Sequence, residues 1–157
     1  MMARSTIFRL SFRLSMVLAG GLGSLAVSEH LVITNSYATG EVSMRYNLRG
    51  EGAAGFAVTD SASITSSYSI GLVNAQRLYA GAGFIYLNDL LETNDYWDTD
   101  TSKMTQGCAN ANCPGITGLT DAQLKSGLPA GFDPAVWGQG PSINNGYPYL
   151  LANPPPQ

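Results

Sequence analysis

Few side chains in this chain are of the kinds that catalytic and metal sites are made from. His30 is the single histidine. A Ser-His-Asp arrangement needs a nucleophile and a carboxylate placed around it, and no spacing here supplies them, so His30 reads as a surface or turn residue. Cys108 and Cys113 enclose Ala-Asn-Ala-Asn. Without a histidine nearby they cannot complete a tetrahedral zinc site. A small-loop disulfide in an oxidising compartment is expected, against two unpaired surface thiols. Asp98, Asp100 and Ser102 share the spacing that opens a calcium loop. No glycine stands at its sixth position, and Ala109 takes the twelfth, where a bidentate Glu belongs, so a solvated loop is expected. Trp97, Trp137, Tyr147 and Tyr149 could offer ring faces to a sugar, but core and capping roles are the favoured reading. Cleaving a glycosidic bond needs two carboxylates at one site. Asp60, Asp89, Asp95, Asp98 and Asp100 cluster near turns but recur at no fixed repeat position. No glycine-rich phosphate loop joins a strand to a helix. The expectation is no catalytic residue, no metal site, no cofactor and no enzyme activity, with the four aromatics as candidate ligand-stacking groups.

The elements that must position these side chains belong to an internal repeat. Ile33-Thr34-Asn35-Ser36-Tyr37-Ala38-Thr39-Gly40 returns as Ile64-Thr65-Ser66-Ser67-Tyr68-Ser69-Ile70-Gly71 and again as Glu92-Thr93-Asn94-Asp95-Tyr96-Trp97-Asp98-Thr99. Thr34, Thr65 and Thr93 keep one place, and Tyr37, Tyr68 and Tyr96 another. A glycine-rich apolar segment accompanies each copy: Gly20-Gly21-Leu22-Gly23, Gly55-Phe56-Ala57-Val58 and Gly83-Phe84-Ile85-Tyr86. The step from Gly55 to Tyr68 equals the step from Gly83 to Tyr96, with no gap needed. The intervals from Tyr37 to Tyr68 and from Tyr68 to Tyr96 both fall within the range of solenoid repeats.

Phe56-Ala57-Val58 and Phe84-Ile85-Tyr86 read as short strands after glycine corners, with turn chemistry in Thr59-Asp60-Ser61 and Asn88-Asp89. The Ile-Thr-x-Ser-Tyr segments alternate apolar and polar residues as half-buried strands do. One copy cannot bury its apolar face alone, but copies stacked at about 4.8 Å pair their backbones and place like on like. The tyrosines and threonines then form columns, and Leu22, Phe56 and Phe84 line the inside. The predicted fold is all-β: a short parallel β-helix, or β-solenoid, of three rungs in residues 19–103, right-handed by the crossover preference.

Both ends depart from the repeat. Arg4, Arg9 and Arg13, followed by an apolar stretch and Ser24-Leu25-Ala26, make residues 1–27 resemble a secretory signal peptide. Gly20 to Leu25 also occupies the strand position of the first copy, so a start inside a longer repeat region is an equally open reading; residues 1–18 form the signal-like or mis-started segment. After Thr99 the repeat is expected to stop, with 100–117 a polar loop and 104–157 a C-terminal cap. Thr120 and Gln123 have capping-box spacing, Leu119 and Leu124 a hydrophobic staple, and Gly127 a stop, predicting a helix over 121–126. Phe132, Trp137, Tyr147 and Tyr149 are expected to pack over the open end of the solenoid, and Pro154-Pro155-Pro156 to form a linker.

Charged residues make up 12% of the chain and the net charge is −3. That balance is too uncharged for a nucleic-acid binder and suits a secreted, Ser/Thr/Asn/Gly-rich β structure.

Gly20-Gly21-Leu22, Asn35-Ser36-Tyr37-Ala38-Thr39-Gly40-Glu41-Val42-Ser43 and Asp95-Tyr96-Trp97-Asp98-Thr99 resemble the GLUG-motif repeats of filamentous-haemagglutinin-like adhesins and autotransporter passengers. Gly118-Leu119-Thr120-Asp121-Ala122-Gln123-Leu124, Phe132 to Trp137 and Tyr147-Pro148-Tyr149-Leu150 resemble the segment that closes the last such repeat in those proteins. The resemblance covers residues 19–151. It implies a β-helical stalk or adhesive surface, secreted or displayed by a Gram-negative cell, with no catalytic residues to carry over. Implied partners are surface molecules or glycans of host or neighbouring cells, plus an outer-membrane secretion partner if the chain belongs to a larger adhesin. Gly52-Ala53-Ala54-Gly55-Phe56 departs from the usual Gly-Gly-Leu-Val-Gly, and members are commonly far longer, so a fragment of a larger adhesin is one expectation. The alternative function is a carbohydrate-binding or carbohydrate-active β-helix protein.

Overall fold

Each repeat copy turns on one left-handed residue: Asn35 at φ 49°, Ser66 at 53° and Asn94 at 57°. Asparagine tolerates this conformation because its short amide can bond locally, whereas most L residues pay about 1–2 kcal/mol there. In the first two copies the corner ends one strand after the repeated threonine and starts the next at the tyrosine; in the third the following strand begins at Asp95. The computed structural model of the protein describes residues 31–44, 52–58, 62–75, 81–86, 92–108 and 113–155. His30, Leu22, Asp60, Asp89, Ala109, the 1–18 segment and the two Asp-containing turns read from sequence lie outside the described residues.

The chain runs β1 (Leu31–Thr34), β2 (Tyr37–Ala38) and β3 (Val42–Met44), then β4 (Ala53–Ala54), β5 (Ala57–Val58), β6 (Ala62–Thr65), β7 (Tyr68–Ser69) and β8 (Val73–Ala75). A third pass supplies β9 (Gly81–Ala82), β10 (Ile85–Tyr86) and β11 (Asp95–Asp98). These strands pair in parallel between passes: β1 with β6, β3 with β8, β4 with β9 and β5 with β10. Ile33 stands on Ile64, Val42 on Val73, Tyr37 on Tyr68 and Tyr68 on Tyr96. The sequence intervals between the tyrosines are therefore also the pairing registers. The fold is broadly all-β, and most strands lie in small two-stranded parallel sheets around one four-stranded sheet, β2-β7-β11-β12.

The fourth member of that sheet corrects the expectation that the pattern stops at Thr99. Gly83 N–H donates to Gln106 O (2.8 Å), and Phe84 and Ile85 N–H both donate to Gly107 O (2.9 Å each). Cys108 bridges to Ile85. After the single-turn helix α1 (Thr99–Ser102) and the cysteine pair, β12 (Ile116–Leu119) pairs in parallel with β11, placing Thr117 beside Tyr96. The described residues of this stretch, 100–108 and 113–117, thus hold most of a helix and of a fourth pass, not a plain loop. This pass is shortened: the intervals from Ile85 to Cys108 and from Tyr96 to Thr117 are both smaller than that from Tyr68 to Tyr96. It carries neither the tyrosine nor the phenylalanine of the others.

Two cores result. The inner one packs Ile33, Phe56, Ile64, Phe84, Ile85 and Trp97, with the Phe56 and Phe84 rings stacked 4.6 Å apart. The second lies on the other side of the four-stranded sheet. There Tyr37, Tyr68 and Tyr96 meet Leu124, Phe132, Trp137, Tyr147 and Leu150.

The C-terminal segment runs along the flank of the tyrosine column, which corrects its expected place over the open end. Trp137 touches Tyr37 and Tyr68, at 6.1 and 5.9 Å between ring centroids, and Phe132 touches Tyr68 and Tyr96, at 6.3 and 5.7 Å. The flank offers the whole aromatic column for burial. The segment begins with helix α2 (Asp121–Leu124), started by the Thr120/Gln123 capping box. The helix ends at Lys125 in right-handed conformation, short of the expected 126 and of Gly127, because it is a single turn closed by Lys125 N–H on Asp121 O. Strands β13 (Trp137–Gly138) and β14 (Tyr149–Leu150) then pair antiparallel.

Candidate functional site

The corner residues set the geometry from which any site must be built. Next to each left-handed residue stands a small polar side chain, Ser36, Ser67 or Asp95, and these are linked between passes. Ser36 N–H donates to Ser67 Oγ (3.2 Å), and Ser67 N–H to Asp95 Oδ1 (2.8 Å). All three are buried, Asp95 completely. Burial is the largest cause that pushes the Asp95 carboxyl up to about 8; the Ser67 and Thr93 backbones oppose it and the Glu92 charge adds to it. Beside this polar column stand the tyrosines, with Tyr37 and Tyr68 stacked at 5.3 Å and 6° between planes. Burial pushes all three phenols up, Tyr68 furthest, so the column is neutral. Thr34 pairs with Thr65 and Thr65 bridges to Thr93; Thr34 and Thr93 face solvent and Thr65 is half-buried.

The four aromatics proposed as a sugar platform are not gathered into one. Trp97 is 8% exposed and lies in the inner core, and a Cβ on Gly83, Gly107 or Gly118 would come within 2.1, 2.6 and 2.7 Å of its indole. Two neighbouring passes omit side chains to make its slot, the third at Gly83 and the fourth at Gly107 and Gly118. Trp137 is buried in the second core and donates its indole N–H to Asn35 Oδ1 (3.1 Å). Tyr147 is buried there too, and Tyr149 is half-buried against Gly138. With three of the four rings buried, no shared ring face is presented; these rings are core and tie residues.

Asp98, Asp100 and Ser102 make local caps. Asp98 Oδ1 accepts Asp100 N–H (2.8 Å) and Thr101 N–H (3.0 Å), capping α1. Asp100 Oδ2 accepts Asp121 N–H (3.0 Å), tying α1 to α2, and Ser102 Oγ accepts Met104 N–H (3.2 Å). The remaining oxygen of Asp98 lies 3.0 Å from the Tyr147 hydroxyl, whose single proton is shared between Asp98 and Asp121. Asp121 completes the group with a salt bridge to Lys125 (2.7 Å), whose ammonium lies 4.4 Å from the Tyr147 ring centre. Hydrogen bonds from Lys125 and then Tyr147 lower the Asp121 carboxyl, while burial first and the Asp121 bond second push the Tyr147 phenol far up. Cys108 and Cys113 are joined in a disulfide, Cα atoms 6.1 Å apart, with Cys108 against the inner core.

A shallow depression of about 280 Å³ between α2 and the β13 side is lined by Lys125, Gln139 and Pro141 among others. Gln139 Nε2 donates to Leu124 O and Gly146 O, both at 2.8 Å, so it fastens the walls. Among the described residues no set of three or more His, Cys, Asp or Glu is placed to hold a metal, and no helix is long and apolar enough to cross a membrane.

Sequence reading missed the polar column, the glycine slot and the Asp98–Tyr147–Asp121 link. Only the first left a trace, in Asn35 and Asn94, the residue type that favours a left-handed corner. No family model matches the chain, nor does any curated protein or solved structure to which it was compared.

Proposed function

We propose that the chain is a short parallel β-solenoid with a non-enzymatic role, an adhesin-like module or structural spacer that is secreted or displayed at a bacterial surface. The observation that carries this reading is the like-on-like register, Ile33 on Ile64 and Tyr37 on Tyr68 on Tyr96. A sequence that repeats its corners and its core in register specifies stacking, and a stack serves best as a rod or a display face. The side chains best able to do chemistry are committed to holding that stack: Asp98 and Tyr147 to each other, Trp97 to its glycine slot, Trp137 to Asn35. The outward Thr34/Thr65/Thr93 face is the surface on which partners such as cell-surface glycans would be met. A larger adhesin carrying this segment would need an outer-membrane secretion partner.

The test is a paired assay on the purified chain. Binding to cells or immobilised glycans that weakens on Thr34→Lys and Thr65→Lys, without polysaccharide turnover, is expected of a display module. Polysaccharide hydrolysis abolished by Asp98→Asn or Asp95→Asn would overturn the reading in favour of a carbohydrate-active protein.

A further inference from the structure

Asp95 is the one member of the polar column that can ionise. Its counterparts, Ser36 and Ser67, are neutral hydroxyls that donate to the carbonyls of Thr34 (3.1 Å) and Thr65 (3.2 Å) while sitting in the same place. Asp95 is fully buried, and it belongs to three passes at once. Its Oδ1 accepts Ser67 N–H from the second, its own N–H donates to Gly115 O (3.0 Å) in the fourth, and Tyr96 N–H beside it donates to Ser67 O (2.9 Å). Its second oxygen, Oδ2, has no hydrogen-bonding partner among the described residues. An ionised carboxylate accepts at both oxygens and needs them satisfied; a neutral acid demands far less of its surroundings.

We propose that Asp95 is a pH latch of the stack: as a neutral acid it lets the second, third and fourth passes close on one another, and its ionisation loosens that junction.

The groups around it favour this role. Glu92, itself buried three residues earlier, presses a like charge towards it, and the Tyr96 phenol is the other titratable neighbour. From the flanking strands β7 and β12 the chain presents Ser67 at the corner and Ile116 in register, both uncharged. Among the described residues no cation acts on it. The carboxyl rises from 3.8 to about 8 on folding, so by linkage its contribution is fully present below the unfolded value and is lost as pH climbs towards the folded one. Loss of the latch on the alkaline side would free the fourth pass first, since Gly115 and Ile116 pair with Asp95 directly.

The test compares the intact chain with Asp95→Asn, which fixes the neutral shape, and Asp95→Ser, which copies the other two passes. Thermal midpoints by circular dichroism from about pH 5 to about pH 9 are expected to fall for the wild type and to stay flatter in whichever variant folds. At the alkaline end Asp95→Asn should melt above the wild type. On the wild type alone, isotope-edited infrared spectroscopy should show a protonated aspartic carbonyl stretch persisting at neutral pH. Parallel pH curves for wild type and variants, or only carboxylate bands at neutral pH, would overturn the proposal.

Discussion

The Tyr68 hydroxyl donates to the carbonyl of Pro148 at 2.5 Å, across 80 residues of sequence. Asn144 supports the same carbonyl and the same hydroxyl from its side-chain amide, at 2.8 and 3.0 Å. This ties the middle of the stack to the C-terminal segment. Tyr68→Ala should destabilise by about 3–5 kcal/mol, the cost of a large aromatic removed from a filled core. Tyr68→Phe should cost about 1 kcal/mol, because Asn144 still serves Pro148. Urea denaturation of both variants checks the pair, and equal losses would show that the hydroxyl, not the ring, carries the contact.

Trp97 depends on the absence of side chains around it. Gly83→Ala would put a methyl 2.1 Å from the indole, and overpacking of this kind costs about 1–3 kcal/mol. Gly127→Ala meets nothing within 4 Å and should change stability by about 0.5 kcal/mol or less. Comparing the two denaturation midpoints separates the slot from a general intolerance of alanine for glycine.

Asn35 serves twice, as left-handed corner and as acceptor for the Trp137 indole. Asn35→Gly keeps the corner but strands the buried donor, at about 1–3 kcal/mol. Asn35→Ala loses both and should be worse by about 1 kcal/mol. The order Asn35→Ala below Asn35→Gly below wild type in thermal stability is the expected outcome.

Asp121 should weaken the C-terminal flank in acid. Its carboxyl is lowered by Lys125 and Tyr147, so its contribution is present above the unfolded value and is lost as pH falls through the folded one. Limited proteolysis around residues 120–150 should accelerate on acidification in the wild type. Asp121→Asn should cleave faster at neutral pH and respond less to acid.

How much of the fold is legible in the sequence depends on the distance between partners. The Thr and Tyr registers, the Phe56–Phe84 pair and the Thr120/Gln123 box are legible because each is written in local spacing or in a repeated interval. The fourth pass is not, since Thr117 replaces the tyrosine and the interval from Tyr96 contracts. Burial of Trp97 is equally hidden: its slot is assembled from Gly83, Gly107 and Gly118, which are far apart in sequence and drawn from two passes. The path of the C-terminal segment rests on partners such as Trp137 and Asn35, 102 residues apart, and no local pattern encodes that pairing.

Cysteine cross-linking tests the central claim most directly. Thr34 and Thr65 are register partners in parallel strands, and neighbouring strands lie about 4.8 Å apart, within disulfide reach. Under mild oxidation the Thr34→Cys/Thr65→Cys variant should close a new bridge readily, with the native Cys108–Cys113 bond retained. Thr34→Cys/Ser63→Cys, two positions out of register, should close poorly. Equal closure of both pairs, or closure of the Ser63 pair alone, would contradict the parallel like-on-like stack.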